Sequence, residues 1–194
     1  MAKLTRDDLD SLEKYSENRN DFRKKVIAHK KDRRVTLGDH AALYFEDEIT
    51  MRYQVQEMLR IEKIFEADGI QDELDVYNPL IPDGTNWKAT FMIEYADEGE
   101  RKIALSKMIG IDRRVWVRVG DCDKVYPVTN EDLSRESEEK TASVHFMRFE
   151  LADVMVSRAK AGEKISMGID HPAYTVSVDS IPEAIRSSLV GDFH

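Results

Sequence analysis

Apolar residues recur every three or four positions in the first third of the chain, whereas apolar and polar residues alternate in much of the remainder. A period near 3.6 is typical of helices that bury one face, and a period of two is typical of half-buried strands. Asp47 or Thr50 is the predicted N-cap of a second helix, and Asp68-Gly69 predicts a left-handed turn that closes it. The predicted helices cover 6–33, about 47–66, and 70–77.

A segment with two prolines and a turn signal, 77–84, separates the helical part from the strand-forming part. The predicted strands cover 87–95, 103–105, 115–119, 125–128, 143–151, 165–169 and 174–178. The acidic stretch 129–140 is typical of a loop, and short helices are predicted over 153–161 and 181–189. Helices first and strands afterwards favour an α+β fold: an antiparallel sheet or a partly open β-barrel with the N-terminal helices packed on one side.

Length and composition predict a single domain. The 194 residues suffice for one sizeable core, and no linker-like stretch divides the chain. We therefore assign one domain, 1–194, with a mainly helical part at 1–77 and a mainly β part at 86–194. Cys122 is the only cysteine, which excludes a disulfide or a thiolate metal cluster within one chain. Any metal must therefore be held by nitrogen and oxygen.

The charge balance excludes two classes of partner. The formal net charge is −9, and a long-range negative field repels nucleic-acid phosphates and anionic lipid. No apolar run approaches the roughly 18 residues needed to span a bilayer. The beginning, MAKLTRDDLD, is acidic where a signal peptide is basic and then apolar. The sequence predicts a cytoplasmic protein that binds neither nucleic acid nor a membrane.

A carboxylate lies on the apolar stripe of the second predicted helix. At about 100° per residue, Glu62 and Gln54 fall inside the stripe, and Glu57 lies at its border. A core-facing carboxylate is costly to desolvate unless it is paired, protonated or bound to a cation. Glu62 is therefore a candidate metal ligand, and an ion pair with an internal arginine is the alternative. The opposite face, predicted to be exposed, carries Arg52, Gln56, Arg60 and Lys63.

Two histidines lie in phase with apolar strand positions. His145 alternates in step with Met147, and His171 is in phase with Ile169 provided that its strand continues that far. A buried imidazole needs hydrogen-bonding partners or a metal. If only one such histidine were present, the better interpretation would be a core residue that is hydrogen-bonded to a carbonyl. Two of them, together with a helix carboxylate, make a metal site an equal alternative.

Glu94 shares a strand face with Lys88, Thr90 and Met92. This mixed face is solvent-exposed in a flat sheet, but it lines a pocket if the sheet curls into a barrel, and Glu94 then becomes a further ligand. Two histidines with one or two carboxylates suit borderline divalent ions and resemble the donor set of non-haem iron(II) sites. The predicted cofactor is a divalent metal ion, with iron favoured and manganese or zinc as alternatives.

Six segments of the chain form a set with a family resemblance. They are KDRRV at 31–35, Phe45-Glu46 with Thr50, QVQEMLRIE at 54–62, YNPLIP at 77–82, SVHFMRF at 143–149, and DHP at 170–172 with Tyr174. Together they resemble the bacterial domain-of-unknown-function family 3501 over nearly the whole chain. The resemblance implies a genomic setting often shared with rubrerythrin-like di-iron proteins and an iron–sulfur oxidoreductase, and hence redox or oxygen-stress metabolism. It brings no established catalytic residues.

These observations predict a metal-dependent enzyme, a non-haem iron oxidoreductase acting on a small, anionic molecule. Arginine binds carboxylate or phosphate through a planar fork of donors. Gln54 and Asp170 are predicted to orient the ligands. Glu57 and Arg60 are the predicted catalytic residues. The predicted ligands are His145, His171 and Glu62, with Glu94 or Glu57 as a fourth ligand or general base, and the substrate anion is expected on Arg33, Arg34 and Arg148.

The competing prediction is a non-catalytic accessory subunit that docks on a redox enzyme, with both histidines as ordinary core residues. A negative surface steers association with a basic partner. Elemental analysis of untagged protein separates the two classes. The sequence leaves the oligomeric state open, including a homo-oligomer.

Overall fold

The computed structural model describes residues 3–132, 135, 137 and 139–194. Its α-helices are α1 (Leu12–Lys31), α2 (Glu48–Glu62), α3 (Ala67–Tyr77), α4 (Glu98–Lys107), α5 (Asp153–Lys160) and α6 (Glu183–Val190). Short 3-10 turns cover Arg6–Asp8, Asn78–Leu80 and Ile111–Arg114. None of the described helices combines the length and the apolar character that crossing a membrane requires.

The described strands form two antiparallel sheets. They are β1 (Arg34–Thr36), β2 (Ala41–Phe45), β3 (Asn86–Ile93), β4 (Val115–Val119), β5 (Val128–Thr129), β6 (Val144–Glu150), β7 (Ile165–His171) and β8 (Tyr174–Val178). The larger sheet has the order β1-β2-β3-β6-β5, and the smaller sheet has the order β4-β7-β8. Both sheets are open, and helices precede most of the strands. The predicted α+β class is therefore confirmed.

The main core joins the inward-facing side chains of both sheets to α4, α5 and α6. Alternation along β3 shows how the sequence builds it: Trp87 and Phe91 are fully buried, whereas Lys88 and Met92 lie half-buried on the other face. A second, smaller core fixes α2 and α3 to the N-terminal segment. Its buried residues are Leu4, Met51, Val55, Leu59, Leu74 and Ile81.

The first predicted helix is divided in two. The backbone N–H of Thr5 donates to Asp8 Oδ2 at 2.7 Å, as the predicted cap requires, but only the 3-10 turn follows. Leu9 then adopts extended backbone. Ser11 is the N-cap of α1, since its Oγ accepts a hydrogen bond from the Lys14 N–H. The prediction of one helix over 6–33 is therefore wrong at its beginning, where a second capping residue competes.

Asp47 is the N-cap of α2, which is one of the two predicted caps. Its Oδ1 accepts from the Thr50 N–H, and its own N–H donates to Thr50 Oγ1, both at 2.9 Å. The predicted end of this helix is wrong. α2 ends at Glu62 because Lys63 adopts left-handed backbone with a φ of 56°, and Gly69 lies inside α3 instead of closing α2.

The segment 103–105, predicted as a strand, belongs to α4. Asp97 caps that helix by accepting a hydrogen bond from the Glu100 N–H at 2.8 Å. Leu105 and Met108 are buried at helical spacing. A run of three residues carries too little periodicity to separate a helix from a strand, so the prediction was wrong.

Five of the other predicted strands agree with the structure, whereas the strand predicted over 125–128 does not: β5 covers only Val128–Thr129, and Val125 forms a single bridge to Val117. β3, β4, β6, β7 and β8 lie at the predicted places, and β7 continues to His171 as the phase argument required. The predicted loop at 129–140 begins within β5, since Thr129 still pairs with β6. Four of its positions, 133, 134, 136 and 138, lie outside the described residues.

Candidate functional site

His145 is buried in the main core on the apolar face of β6, as its strand phase predicts. Its Nδ1 faces Asn130 Nδ2 at 3.1 Å, and its Nε2 lies 2.9 Å from the carbonyl oxygen of Ala142 and 3.0 Å from Thr141 Oγ1. Asn130 Oδ1 accepts a hydrogen bond from the Phe146 N–H, which orients the amide. These partners fit a neutral imidazole that carries its proton on Nε2.

His171 ends β7 and is 8% exposed. Its Nε2 lies 3.0 Å from the carbonyl oxygen of Ile109, and its Nδ1 accepts from the Ala173 N–H at 3.2 Å. The imidazole therefore fastens the turn after β7 to the segment after α4. Asp170, which was predicted to orient an imidazole, points to the opposite face of the strand and pairs with Lys124 at 2.6 Å.

The predicted apolar stripe of α2 is wrong in phase. The buried hydrophobic residues of this helix are Met51, Val55 and Leu59. Gln56, predicted to be exposed, is 1% exposed because its side chain bonds both the N–H and the carbonyl of Asp10. Gln54 is half-buried, and Glu62 is exposed at the last residue of the helix. Glu62 does not face the core, so the argument that made it a ligand does not apply.

Glu94 follows β3 on the surface, where it belongs to a cluster with Arg34. The Tyr44 hydroxyl donates to Glu94 at 2.7 Å, and Arg34 Nη2 donates at 3.3 Å. Arg34 Nε also donates to the Tyr44 oxygen at 2.9 Å. Burial, together with the hydrogen bond to Glu94, raises the pKa of Tyr44. Glu94, a predicted metal ligand, and Arg34, a predicted substrate-binding residue, are therefore hydrogen-bonded to each other.

Glu57 joins α2 to α1. Arg19 donates to its two oxygens at 2.7 and 2.8 Å, the Tyr15 hydroxyl donates at 2.7 Å, and Arg60 donates at 3.4 Å. The Arg19 guanidinium lowers the pKa of Glu57 to about 2. Burial, and then the bond to Glu57, raises the pKa of Tyr15. A carboxylate held by three donors with so low a pKa is a weak proton acceptor near neutral pH. In this structure Glu57 fastens α2 to α1, and Arg60 pairs with Glu57 within α2.

The four predicted metal ligands do not converge. Within the residues that the structure describes, no group of three or more His, Cys, Asp or Glu side chains is placed to hold one ion. His145 and His171 direct both ring nitrogens at protein partners, and Glu62 and Glu94 lie on the surface. As a set, these residues do not fit a divalent ion. An iron-dependent oxidoreductase stays a prediction from the sequence alone.

Replacing His145 by alanine is expected to leave the metal content of the untagged protein unchanged. We expect the unfolding free energy to fall by about 1–3 kcal/mol, because Asn130 and Ala142 lose a buried hydrogen-bonding partner. Elemental analysis and urea denaturation of wild type and variant measure the two quantities. A metal stoichiometry that drops in the variant would restore the ligand role predicted from the sequence.

Arg33 lies in a buried charge cluster with Asp47, Asp192 and His29, termed here the Arg33 cluster. Its Nη2 is 2.6 Å from Asp192, its Nε is 3.3 Å from Asp47, and His29 Nε2 is 2.5 Å from Asp47. Burial raises the pKa of Asp192 to about 6. At 2% exposure, Arg33 has no face open to the external anion that the sequence predicted for it. It also donates to the backbone carbonyls of Phe45, Glu46 and Ser188.

Arg148, the third arginine predicted to bind a substrate, does line a cavity. Two adjoining cavities of about 460 Å³ each lie between the segment 75–83 and the outer face of β3 and β6. Both are bordered by Pro79, Lys88, Glu131 and Arg148, and together they are termed the Lys88 groove. The first cavity is also lined by the apolar residues Val76, Tyr77, Leu80 and Phe146, and by Met147, whose side chain faces the core.

Lys88 and Arg148 occupy directly opposite positions on β3 and β6, where like charges repel. Arg148 is compensated, since it donates to Glu131 at 2.8 and 2.9 Å and also to Glu150. Lys88 is half-buried, and its Nζ donates to the carbonyl oxygen of Pro79 at 2.6 Å. Across the described ranges, no carboxylate forms an ion pair with it. Burial is the largest cause of the lowered pKa of Lys88, and the Arg148 charge adds to it, whereas the carboxylates of Asp83, Glu131 and Glu150 oppose it.

The sequence pattern placed Lys88 and Glu94 on one mixed strand face and predicted a pocket there only if the sheet curled into a barrel. The sheets are open, and the groove lies instead between this face and the segment 75–83. The predicted ligand, Glu94, lies at the far end of that face. The signal for Lys88 itself is a cation between Trp87 and Ala89, both of which face the core. No comparable signal exists for Asp192, because the four C-terminal residues show no periodic pattern.

The molecule is thus an α+β protein with two open antiparallel sheets and a half-buried lysine that borders one mainly apolar cavity and one polar cavity. The family model described as "Protein of unknown function (DUF3501)" matches residues 3–193, and the chain belongs to that family. It is similar to the crystal structure of a novel protein of unknown function from Burkholderia pseudomallei K96243, with 51% identity, a TM-score of 0.94 and coverage of 100% of both chains. A comparison with curated proteins found no match. The resemblance carried by the six segments is thereby confirmed.

Proposed function

We propose that this protein binds a small molecule with an apolar body and one acidic group in the Lys88 groove. Lys88 carries the proposal: it is a half-buried ammonium among apolar side chains, and no carboxylate of the described residues pairs with it. The carbonyl oxygen of Pro79 accepts one hydrogen bond from it, but a partly buried charge without a carboxylate in contact remains unfavourable. A ligand carboxylate supplies that partner, while Leu80 and Phe146 contact the apolar body.

The groove consists of two different cavities, and this supports a ligand with an apolar body and one acidic group. One cavity has mainly apolar walls, and the other is bordered by polar side chains that include Lys3, Asn78 and Asp83. Lys88 borders both. Each volume, about 460 Å³, lies within the roughly 300–1,000 Å³ of small-molecule sites. The acidic group of the ligand therefore meets Lys88 at the junction, and its body fills the apolar cavity.

The charges around the apolar cavity suit a ligand with a single acidic group. Arg135 and Arg148 also border this cavity, but they are paired with Asp132 and Glu131. Asp75 adds a further negative charge at the border. We therefore expect one acidic group at Lys88 and weaker binding of ligands with several phosphates.

Lys88→Met is expected to weaken the binding of hexanoate by about 10-fold to 100-fold, because a charged hydrogen bond contributes roughly 1.5–3 kcal/mol. Hexanamide has nearly the same shape without the charge, so its weaker binding is expected to change little. Isothermal titration calorimetry at low ionic strength, with hexanoate and hexanamide on wild type and variant, measures both effects.

Lys107→Met provides the matched control, since Lys107 is an exposed lysine at the end of α4. It changes the net charge equally and is expected to leave the affinity for hexanoate unchanged. The proposal fails if wild type binds hexanoate no better than hexanamide, or if the Lys88 and Lys107 variants bind hexanoate equally well.

A further inference from the structure

We propose that Lys88 is a nucleophile that forms an imine with the keto group of a 2-oxo acid bound in the Lys88 groove. This inference rests on the proposed function and names the ligand class more closely. In a 2-oxo acid the carboxylate is attached directly to the keto carbon. A carboxylate that meets Nζ of Lys88 therefore brings the carbonyl carbon next to the same nitrogen.

The surroundings of Lys88 suit a reacting amine better than a simple counter-charge. An exposed lysine attracts an anion without any loss of hydration, whereas Lys88 is half-buried and lies opposite Arg148. A desolvated amine loses its proton more readily, and burial is the largest cause of the lowered pKa of Lys88. The Arg148 charge acts in the same direction, against the carboxylates of Asp83, Glu131 and Glu150. The environment thus increases the fraction of free amine, which is the nucleophilic form.

The contact with Pro79 orients the amine. Lys88 Nζ donates to the carbonyl oxygen of Pro79 at 2.6 Å. When the nitrogen is neutral, one N–H keeps this bond, and the lone pair is directed away from that oxygen. Pro79 and Lys88 line the same cavity, together with Phe146 and Leu80. A keto carbon held there is within reach of the lone pair.

The chemical step needs no oxidant or reductant. The lone pair of Nζ forms a bond to the keto carbon, and the π electrons of the C=O bond move to oxygen, which takes up a proton. The carbinolamine then loses its hydroxyl group with a second proton as water, and the nitrogen forms the C=N bond. The products are one imine and one water molecule. In its protonated form the imine stays positive beside the ligand carboxylate.

Reductive trapping tests the inference. Wild-type protein is incubated with 4-methyl-2-oxopentanoate and sodium cyanoborohydride, which reduces an imine to a stable secondary amine. Peptide mass mapping is expected to find the adduct on Lys88 at a rate at least about tenfold above that on Lys107, since binding raises the local concentration of the carbonyl. An excess of 4-methyl-2-hydroxypentanoate, which has the same carboxylate and side chain but no carbonyl, should suppress the labelling of Lys88.

Lys88→Arg separates the imine from simple anion binding, because it keeps the positive charge without a reactive amine. The variant should bind the hydroxy acid and show no adduct at this position, with a thermal melt close to that of wild type. If both proteins bind the hydroxy acid but Lys88 is labelled no faster than Lys107, the imine is refuted and the proposed function stands. If wild type binds neither acid, both proposals fail.

Discussion

Replacing Arg33 by methionine is expected to lower the unfolding free energy by about 3–5 kcal/mol, the loss typical of removing one partner from a buried ion pair. In wild type the guanidinium lies 2.6 Å from Asp192 and 3.3 Å from Asp47. Without it, two buried carboxylates share one region with only His29 to offset them. Three backbone carbonyls lose a donor as well. Urea denaturation at neutral pH measures the difference.

Arg34→Met is the matched control for this prediction. Arg34 is the next residue, but its side chain is 41% exposed and pairs with Glu94 on the surface at 3.3 Å. Such a pair contributes about 0–1 kcal/mol. Equal losses in the two variants would show that the Arg33 cluster stabilises the fold no more than a surface ion pair. The expected contrast would identify the cluster as the attachment of the C-terminal segment, whose Phe193 packs on Trp87.

The order of helices and strands was predictable only in part, since it depends on local periodicity: β1 and β2 were not predicted, and part of α4 was taken for a strand. β3 and β6 were found by alternation, and both have the predicted side chains in the core. Helix ends were less predictable, because each depends on one backbone or capping choice, such as the cap at Ser11 or the left-handed Lys63. The pairing of β3 with both β2 and β6 joins segments far apart in the chain. No local pattern records such a pairing.

The same limit explains what was missed in the candidate site. The burial of His145 and His171 followed from strand phase, but their partners come from other segments, and backbone acceptors such as the Ile109 carbonyl leave no signature in the sequence. The helical-wheel prediction for α2 was wrong at Gln56 because Asp10, in the segment before α1, hydrogen-bonds to its side chain. Asp192 meets Arg33 across 159 positions, so its burial depends on the completed fold.

Asp192 is expected to make stability fall as the pH rises through about 6. Burial raises the pKa of this carboxyl from 3.8 to about 6, so the folded protein binds its proton more tightly than the unfolded chain does. A group with a raised pKa contributes stability that is complete below its unfolded pKa and is lost as the pH rises through the folded value. A shift of about two units corresponds to roughly 3 kcal/mol. This loss is expected between about pH 4 and pH 7.

Other carboxylates have the opposite pH dependence and must be separated from this effect. Arg19 lowers the pKa of Glu57 to about 2, and Arg186 does the same for Glu183. Their contributions are present above their unfolded pKa values and are lost as the pH falls through about 2. The unfolding free energy of wild type alone therefore combines contributions that rise with pH and contributions that fall with pH. Comparison with a variant that changes Asp192 and leaves these pairs intact isolates the contribution of Asp192.

Asp192→Asn is that variant, because it removes the titrating group from the Arg33 cluster and keeps a side chain of similar shape. In the variant the Arg33 guanidinium faces the single carboxylate of Asp47. We expect the advantage of wild type over this variant to shrink by about 3 kcal/mol between pH 4 and pH 7. Urea denaturation of both proteins at the two pH values measures the change. If the difference between them is the same at both values, Arg33 keeps Asp192 ionised throughout, and burial does not control this carboxyl.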